Sequence, residues 1–207
     1  MMPKDDMPAE IRPKLSRTRI VEAAIGIVRT EGLDTLSMRR VAATLDAGVM
    51  SLYRHVTDRD DLLVGMLDLV AQRIDVPPTE ADDRAEIVAI VMTFHRAFRE
   101  DPWLVQVLLL EGRGSLLVLP LLERMFAALG RLGCDAKSSI DHYSLLLHYA
   151  YGESLSFETT ERRLSNRKDW PAEAFADYPA AAAVMTASDG WAYDEFERNL
   201  KRLVAAI

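Results

Sequence analysis

The sequence predicts an all-α protein with a small N-terminal helical domain and a larger C-terminal one. Nearly every apolar pattern in its 207 residues recurs at the three- and four-residue spacing of a helix face. Alternating Val, Ile and Thr around tight Asn-Gly turns, which would predict hairpin strands, is missing. Pro77 and Pro78 end the fourth predicted helix, because proline cannot continue a helix, and they mark the boundary between the two domains.

Four helices are predicted before the two prolines. They cover about residues 15–30, 38–45, 49–55 and 59–75. Ser16 and Ser37 are cap-type residues at the starts of the first two helices, and Gly32 ends the first. The fourth helix has acidic residues in its first turn, where the helix dipole favours them. We therefore assign residues 14–60 to the N-terminal domain, and the fourth helix connects it to residues 80–207.

Further helices are predicted in the C-terminal domain. They are expected over about residues 80–100, 103–110, 120–132 and 138–163, with a final helix after Gly190. Pro120 is acceptable in a first helical turn, and Ser138 is the expected cap of the longest helix. The segment that contains Pro171 and Pro179 is expected to be a polar loop.

The composition excludes several classes of protein. A chain of this length buries roughly 70% of its unfolded surface and needs no disulfide or metal to fold. The single Cys134 rules out a disulfide framework within one chain. No apolar run reaches the roughly 18 residues of a membrane span, and the N-terminal sequence MMPKDDMPAE lacks the apolar stretch of a signal peptide. A cytoplasmic protein without a membrane partner is expected.

Charge is divided unevenly along the chain. The net charge is -7, but residues 12–59 hold nine Lys and Arg against five Asp and Glu, a local balance of +4. Residues 60–207 hold 15 basic and 24 acidic residues, a balance of -9. Such asymmetry is typical of a polyanion-binding module attached to an acidic body, although a chance fluctuation would also produce it.

Two short helices joined by a tight turn lie between Ser37 and Leu63, in the sequence SMRRVAATLDAGVMSLYRHVTDRDDLL. Leu52 and Val56 stand four residues apart, so both face inward. The flanks and outer face fall to Val49, Met50, Ser51, Tyr53, Arg54 and His55. A face that mixes apolar, hydroxyl, aromatic and basic groups suits the major groove of DNA. The segment therefore predicts a helix-turn-helix motif.

These residues resemble the tetracycline-repressor (TetR) family of transcriptional regulators. The resemblance rests on the first helix LSRTRIVEAAIGIVRTEG, on LDTLSMRRVAATLDAGVMSLYRHV and on DRDDLL, and it covers roughly Leu15 to Leu67. The C-terminal half is more loosely similar to the tetracycline-repressor subgroup, through DHYSLLLHYAYGESLSFETTERR and SDGWAYDEFERNLKRLV. The resemblance implies a three-helix DNA-binding domain followed by a larger helical domain for ligand binding and dimerisation.

The resemblance also implies DNA contacts for nine residues. They are Arg17, Ser37, Arg39, Val49, Met50, Ser51, Tyr53, His55 and Arg59. By this analogy Arg39 reads guanine, the stretch 49–51 faces the bases, and Tyr53, His55 and Arg59 hold phosphates. The competing interpretations are a core aromatic at position 53, a histidine favoured by the helix end at position 55, and a solvated face around Arg39.

The turn departs from the family pattern at two residues. Asp46 stands where the family usually has glycine, and it tolerates the left-handed backbone but adds a negative charge. Gly48 stands where a Ser, Thr or Glu usually caps the recognition helix, and glycine caps weakly. Ser37 matches the family as the cap of the second helix, where its hydroxyl would meet a phosphate. Because Val49 and Met50 are more apolar than usual, the bases that are read stay open.

Aromatic, Met and His residues of the C-terminal domain are candidates for a ligand pocket, because such pockets are mostly apolar with a few polar groups. The candidates are Phe94, His95, Trp103, Met125, Phe126, His142, Tyr143, His148 and Trp170. A packed core is the competing interpretation for each. Since His142 and His148 are six residues apart, they make a poor metal pair, and no metal or other cofactor is expected. The segment LVQVLLLEGRG offers no His where tetracycline-binding relatives hold the chelated drug, which disfavours tetracycline.

Small residues in the long helix indicate a two-fold interface together with the apolar stripe of the final helix. They are Ala150, Gly152, Ser154 and Ser156. The family resemblance also implies a homodimer. Its recognition helices would lie about 34–36 Å apart, or a multiple of that, on double-stranded DNA with a palindromic operator.

The leading hypothesis is a homodimeric repressor that a small apolar or aromatic effector releases from its operator. A typical coupling of about 1–3 kcal/mol would weaken DNA binding about 5- to 150-fold. A constitutive DNA-binding protein without a ligand is an alternative. A helical enzyme is a weaker alternative, because no G-x-S-x-G, H-E-x-x-H, P-loop or Rossmann fingerprint is present, and no catalytic residue is assigned. The effector, whether a metal accompanies it, the operator, the regulated genes and the choice between repression and activation stay open.

Overall fold

The computed structural model describes residues 14–157, 172–187 and 195–207. These residues form ten α-helices and no strand, which confirms the all-α prediction. The helices are α1 (Arg17–Glu31), α2 (Met38–Thr44), α3 (Val49–Leu52), α4 (Arg59–Ala71), α5 (Asp83–Glu100), α6 (Trp103–Leu110), α7 (Leu119–Arg131), α8 (Ala136–Phe157), α9 (Pro179–Ala187) and α10 (Phe196–Ala205). The chain divides into two compact units between Met66 and Leu67, inside α4, whereas the boundary predicted from Pro77 and Pro78 lies further along the chain.

A cap and a glycine define the two ends of α1 in the first unit. The Ser16 hydroxyl accepts a hydrogen bond from the Arg19 amide at 3.3 Å, which satisfies one of the unpaired amides of the first turn. Gly32 ends the helix with a φ of 86°, a conformation that glycine adopts without steric cost. Side chains from α1 to α4 form a core without solvent exposure at Ile20, Val41, Leu52, Leu62 and Leu63.

An ion pair joins the start of α1 to the first turn of α4. The Arg17 guanidinium donates to both carboxylate oxygens of Asp61, at 2.9 and 2.6 Å, and to the carbonyl of His55 at 3.1 Å. The Thr57 amide donates to the same carboxylate at 2.8 Å. These donors, Arg17 foremost, lower the pKa of Asp61 from 3.8 to about 2, against the opposing effect of burial.

We expect Asp61 to stabilise the first unit at neutral pH and to lose that contribution in acid. Because its folded pKa lies below its unfolded pKa, the stabilisation is complete above pH 3.8 and disappears as the pH falls to about 2. The Arg17 side chain is 43% exposed, so solvent screening limits the contribution to about 1 kcal/mol. Urea denaturation should separate the wild type from Asp61→Asn by about 1 kcal/mol at neutral pH. A separation that persists in strong acid would contradict this assignment.

Helix α5 is the centre of the second unit. It packs against α6, α7, α8 and α10. Asp82 caps it by accepting a hydrogen bond from the Ala85 amide at 2.8 Å. Its apolar residues recur at helical spacing, and Ile87, Ile90 and Val91 are fully buried. The arrangement matches the helix predicted between Pro78 and Asp101-Pro102.

Two C-terminal elements differ from the prediction. The cap of α8 is Asp135 and not Ser138, because the Asp135 carboxylate accepts the Ser138 amide at 2.7 Å and Ser138 lies inside the first turn. The polar loop expected around Pro179 contains α9 instead. Its sequence PAAAAVMTA combines a first-position proline with the strongest helix former, which was the signal in the sequence. The end predicted for the long helix near residue 163 lies outside the described residues, as does Trp170.

A buried ion pair holds the segment between α4 and α5. Glu86 of α5 is 2% exposed and accepts hydrogen bonds from the Arg124 guanidinium of α7 at 2.6 and 3.0 Å. The same guanidinium donates to the carbonyls of Pro77 and Pro78 at 2.9 and 3.1 Å, and the Glu80 amide donates to Glu86 at 2.9 Å. The hydrogen bond from Arg124 lowers the pKa of Glu86, which burial alone would raise. The two prolines that end the helical pattern are therefore bound to α7.

We expect Arg124→Met to lower the free energy of unfolding of the second unit by about 2 kcal/mol, because the Glu86 carboxylate would stay buried without its partner. The expected loss is below that of a fully buried pair, since the Arg124 side chain is 22% exposed. Thermal melting should fall by about 4–8 °C. Arg131→Met is the matched control, because Arg131 pairs with Asp83 across the same two helices at an exposed position. Equal falls in both variants would contradict the importance of burial.

Candidate functional site

The turn between α2 and α3 contains both departures from the family pattern. Asp46 has a φ of 49°, so aspartate does occupy the left-handed conformation. The Ala47 amide donates to the Ala42 carbonyl at 3.0 Å and closes the turn. Gly48 precedes α3 without a side-chain capping bond. The start of α3 therefore has the weak cap expected from the sequence.

Helix α3 is shorter than the helix predicted over residues 49–55. It ends at Leu52, and residues 53–55 continue as a turn. The Tyr53 amide reaches the Val49 carbonyl at 3.4 Å, whereas the His55 amide bonds the Leu52 carbonyl, three residues back, at 2.8 Å. Such tightened bonds are typical of the last turn of a helix.

One side of α3 and its turn is buried and the other side is exposed. Leu52 and Val56 are 0% and 1% exposed, which confirms that both face inward. Met50 is 75% exposed and Tyr53 is 44% exposed. His55 is exposed as well. The outer face therefore presents a thioether, a phenol and an imidazole to the surroundings, as the sequence predicts.

The predicted DNA contacts outside this outer face are exposed or half-buried. Ser37 is exposed and caps α2, where its hydroxyl accepts the Arg40 amide at 3.2 Å. Arg39 is exposed. The half-buried members of the set are Val49, Ser51 and Arg59.

The arginines of the first unit fall into two groups. Arg17 is held by Asp61, and the Arg40 guanidinium donates to Glu31 at 3.0 Å and lowers the pKa of that carboxyl. Arg39 and Arg54 are exposed and form no ion pair with another described residue. Arg54 was not among the predicted DNA contacts. Its position between Tyr53 and His55 was the available signal.

A cavity of about 200 Å³ lies within the second unit. Residues of α4 to α8 and of the segments after α4 and α6 line it. They are Leu67, Val70, Ala71, Ile74, Phe94, Ala97, Phe98, Leu104, Leu108, Gly114, Ser115, Val118, Leu122, Tyr143, Leu147 and Tyr151. None of these side chains is charged, so the cavity suits an apolar, uncharged molecule.

Three hydroxyl groups are the polar side-chain groups of this lining. The Ser115 hydroxyl donates to the Asp68 carboxylate at 2.6 Å and accepts the Leu117 amide at 3.1 Å, which joins the segment after α6 to α4. The other two belong to Tyr143 and Tyr151. Burial raises the pKa of both phenols, that of Tyr151 to about 12, so both are neutral donors at physiological pH.

Two of the predicted ligand residues, Phe94 and Tyr143, line this cavity. His95 does not, because its ring stacks on Phe196 at 3.7 Å, and burial lowers the pKa of His95 to about 4. Trp103 does not line it either. Its indole N–H donates to the Asp101 carboxylate at 2.7 Å in the core.

Four further predicted ligand residues also lie away from the cavity lining. Met125 is fully buried in the core, and Phe126 packs against the ring of Tyr143 at 5.4 Å. His142 is half-buried and His148 is exposed. For these side chains the packing or surface interpretation fits better than a place in the lining.

Several residues that line the cavity were not predicted from the sequence to bind a ligand. Val70 and Ile74 line it, although neither was among the predicted ligand residues. Tyr151 follows Tyr143 and Leu147 at four-residue steps along α8, and this repeat was the signal that would have found it. The residues of α4 and α6 that line the cavity could not be found in this way, because their apolar side chains have the same pattern as a helix face packed in a core.

The described residues contain no group of three or more His, Cys, Asp or Glu side chains placed to hold a metal ion. No helix among them is long and apolar enough to cross a membrane.

Comparison with known proteins decides the family. No family model matches the chain. The chain is 32% identical over 212 residues to the HTH-type transcriptional repressor DrrR1 of Streptomyces coeruleorubidus, covering 95% of the chain and 78% of that relative. It also matches the solved structure of the TetR family protein ActR of Streptomyces coelicolor in complex with actinorhodin. There the TM-score is 0.73 at 28% identity, over 94% of the chain and 95% of ActR. The chain belongs to the TetR family of transcriptional regulators.

A second relative also matches this TetR-family chain over both units. An HTH-type transcriptional regulator of Saccharopolyspora erythraea is 29% identical over 203 residues, covering 95% of the chain and 86% of the relative. The relatives are named as transcriptional repressors and regulators, and not as enzymes. The family and the helix-turn-helix motif predicted from the sequence are confirmed.

Proposed function

We propose that this TetR-family regulator is a homodimeric repressor that leaves a palindromic operator when a small apolar or aromatic effector enters the cavity of the second unit. The observation that carries the proposal is the position of α4 in the chain. This one helix begins at Arg59 in the first unit and supplies Leu67, Val70 and Ala71 to the cavity lining. A ligand that displaces the lining therefore acts on a helix that belongs to both units.

The exposure of α3 supports the DNA contacts. Met50 is 75% exposed, so its thioether is free to meet base edges or thymine methyls in the major groove. Arg39 has the donors for guanine, and the exposed Tyr53 and His55 have donors for phosphate oxygens. The remaining assigned contacts flank this face: Ser37, Val49, Ser51 and Arg59.

Arg17 takes a different place in the proposal. Its guanidinium binds Asp61 and the carbonyl of His55. We therefore assign it to positioning the end of the recognition segment rather than to a phosphate. The exposed guanidinium of Arg54 is the better candidate for a phosphate contact.

The cavity supports an effector. It is apolar, uncharged and lined from five helices, which is the usual character of small-molecule sites. ActR, which shares the fold over most of its length, has been solved with actinorhodin and with (S)-DNPA. Because a ligand shifts an equilibrium only by its differential affinity, the effector must fit the released state better than the DNA-bound state.

Ala150 and Ser154, predicted for the two-fold interface, are buried within the second unit, as is the apolar stripe of α10, whereas Gly152 is exposed. An exposed stripe along α8 supports the homodimer instead. Leu145 and Leu155 are 52% and 41% exposed, and His148 and Gly152 between them are exposed too. Their alternating three- and four-residue spacing places them on one helix face. An apolar stripe with a small residue is the kind of face that packs against a second copy across a two-fold axis.

The test is a gel shift with the DNA upstream of the gene and the full chain. We expect salt-sensitive, sequence-dependent binding, because phosphate contacts release counterions. Sedimentation should give a dimer both free and on DNA, and saturating effector should weaken binding about 5- to 150-fold. Binding that does not depend on the DNA sequence, or a monomer bound to DNA, would overturn the proposal.

A further inference from the structure

The two cavity phenols lie on one helix face. Tyr143, Leu147 and Tyr151 follow each other at four-residue steps along α8, so they line the same wall of the cavity. Tyr151 is 8% exposed and Tyr143 is half-buried. Neither hydroxyl makes a hydrogen bond to another described residue. Both residues line the cavity, so their hydroxyl groups are available to a molecule inside it.

The aromatic rings of the lining favour a flat molecule. The rings of Phe94 and Phe98 on α5 are 6.4 Å apart and nearly parallel, with an interplanar angle of 16°. Phe98 also packs against the Tyr151 ring at 5.0 Å. Aromatic rings pack well against such faces in offset or tilted arrangements.

Size and charge restrict the ligand further. An apolar cavity of about 150 Å³ can hold benzene. The cavity here is about 200 Å³, which leaves room for one or two fused rings without a rearrangement. Since no charged side chain lines it, a carboxylate or an ammonium group would lose its hydration without gaining a counter-ion.

We propose that Tyr143 and Tyr151 determine the specificity of the cavity, and that its ligand is a neutral, planar aromatic molecule with oxygen atoms that accept hydrogen bonds from these phenols. This inference rests on the proposed effector role of the cavity. Tyr151 was not among the ligand residues predicted from the sequence. The phenols select oxygenated rings from the plain hydrocarbons that the apolar lining alone would accept.

The experiment compares three probes on the full chain without DNA by isothermal titration calorimetry. They are naphthalene, a naphthalenediol with one hydroxyl on each ring, and naphthoate. We expect the diol to bind the wild type at least as tightly as naphthalene, although water hydrates the diol more strongly. Naphthoate should bind at least about 10-fold more weakly than the diol, because its charge is not compensated.

Single hydroxyl deletions test the two phenols. Tyr143→Phe and Tyr151→Phe should each weaken binding of the diol by about 3- to 10-fold, the range of one hydrogen bond. Binding of naphthalene should change by less than about twofold, since the ring is kept. Tyr149→Phe is the matched control, because Tyr149 lies on the same helix but stacks on Phe196 away from the cavity lining.

Several outcomes would overturn the inference. They are equal losses for the diol and naphthalene, no loss for the diol, tight binding of naphthoate, or no binding of any probe to the wild type. None of them affects operator binding, which is measured separately. If the chain binds the diol as expected but does not bind its upstream DNA, the proposed function is overturned. The inferred specificity of the cavity would then still hold.

Discussion

Met50→Glu is expected to reduce operator affinity by about 100- to 1000-fold while the fold stays intact. Met50 is 75% exposed at the tip of α3, so a carboxylate there meets no core residue. In the complex it would face base edges and phosphates, and a like charge at such a contact costs several kcal/mol. The apolar contact with the bases is lost as well.

The matched control for this variant is Leu116→Glu. Leu116 is 77% exposed in the second unit and does not line the cavity, so Leu116→Glu changes the net charge by the same amount outside the first unit. Fluorescence anisotropy with labelled upstream DNA should show a loss for Met50→Glu and little change for the control. Circular dichroism and melting should be unchanged in both. Similar losses in both variants would mean that net charge, and not the α3 contact, governs binding.

The helices were predictable where local signals and apolar spacing agree. Ser16, Ser37 and Gly32 mark helix ends, and the structure places caps and a positive φ at these residues. The prediction was wrong where two signals competed, as at the start of α8, because Asp135 and Ser138 are both cap-type residues and only geometry chooses between them. The helix of residues 49–55 was too long, because sequence spacing does not reveal where hydrogen bonds tighten.

The two candidate sites were predictable to different degrees. The outer face of α3 and its turn is formed by residues that are close in sequence. The positions of Leu52 and Val56 therefore predicted which residues point inward and which point outward. The cavity is not local, because five helices and two connecting segments line it. An aromatic such as Trp103 or Phe94 has the same character in a core and in a cavity, and only the tertiary arrangement distinguishes the two. The ion pair of Arg17 was hidden for the same reason, since its partner is 44 residues away.

Ala97→Phe is expected to make the regulator insensitive to its effector. Ala97 lies on α5 in the cavity lining, one turn from Phe94 and beside Phe98, so a benzyl group there would occupy a cavity of about 200 Å³. Because a ligand would have to displace the new ring, binding of the naphthalenediol should fall by at least about 100-fold. Operator affinity without ligand should be unchanged, because the added ring fills existing space and does not displace the α4 residues of the lining.

The melting temperature distinguishes a variant whose new ring fills the cavity from a variant whose fold is disrupted. A phenyl ring that fills an apolar cavity adds buried surface worth about 1.5 kcal/mol or more, whereas overpacking of a tight core costs about 1–3 kcal/mol. Ala97→Phe should therefore melt at or above the wild-type temperature, and Ala128→Phe, at a fully buried position outside the lining, should melt below it. If the diol still binds Ala97→Phe and releases it from DNA, the effector acts elsewhere. That result would overturn the proposed role of the cavity.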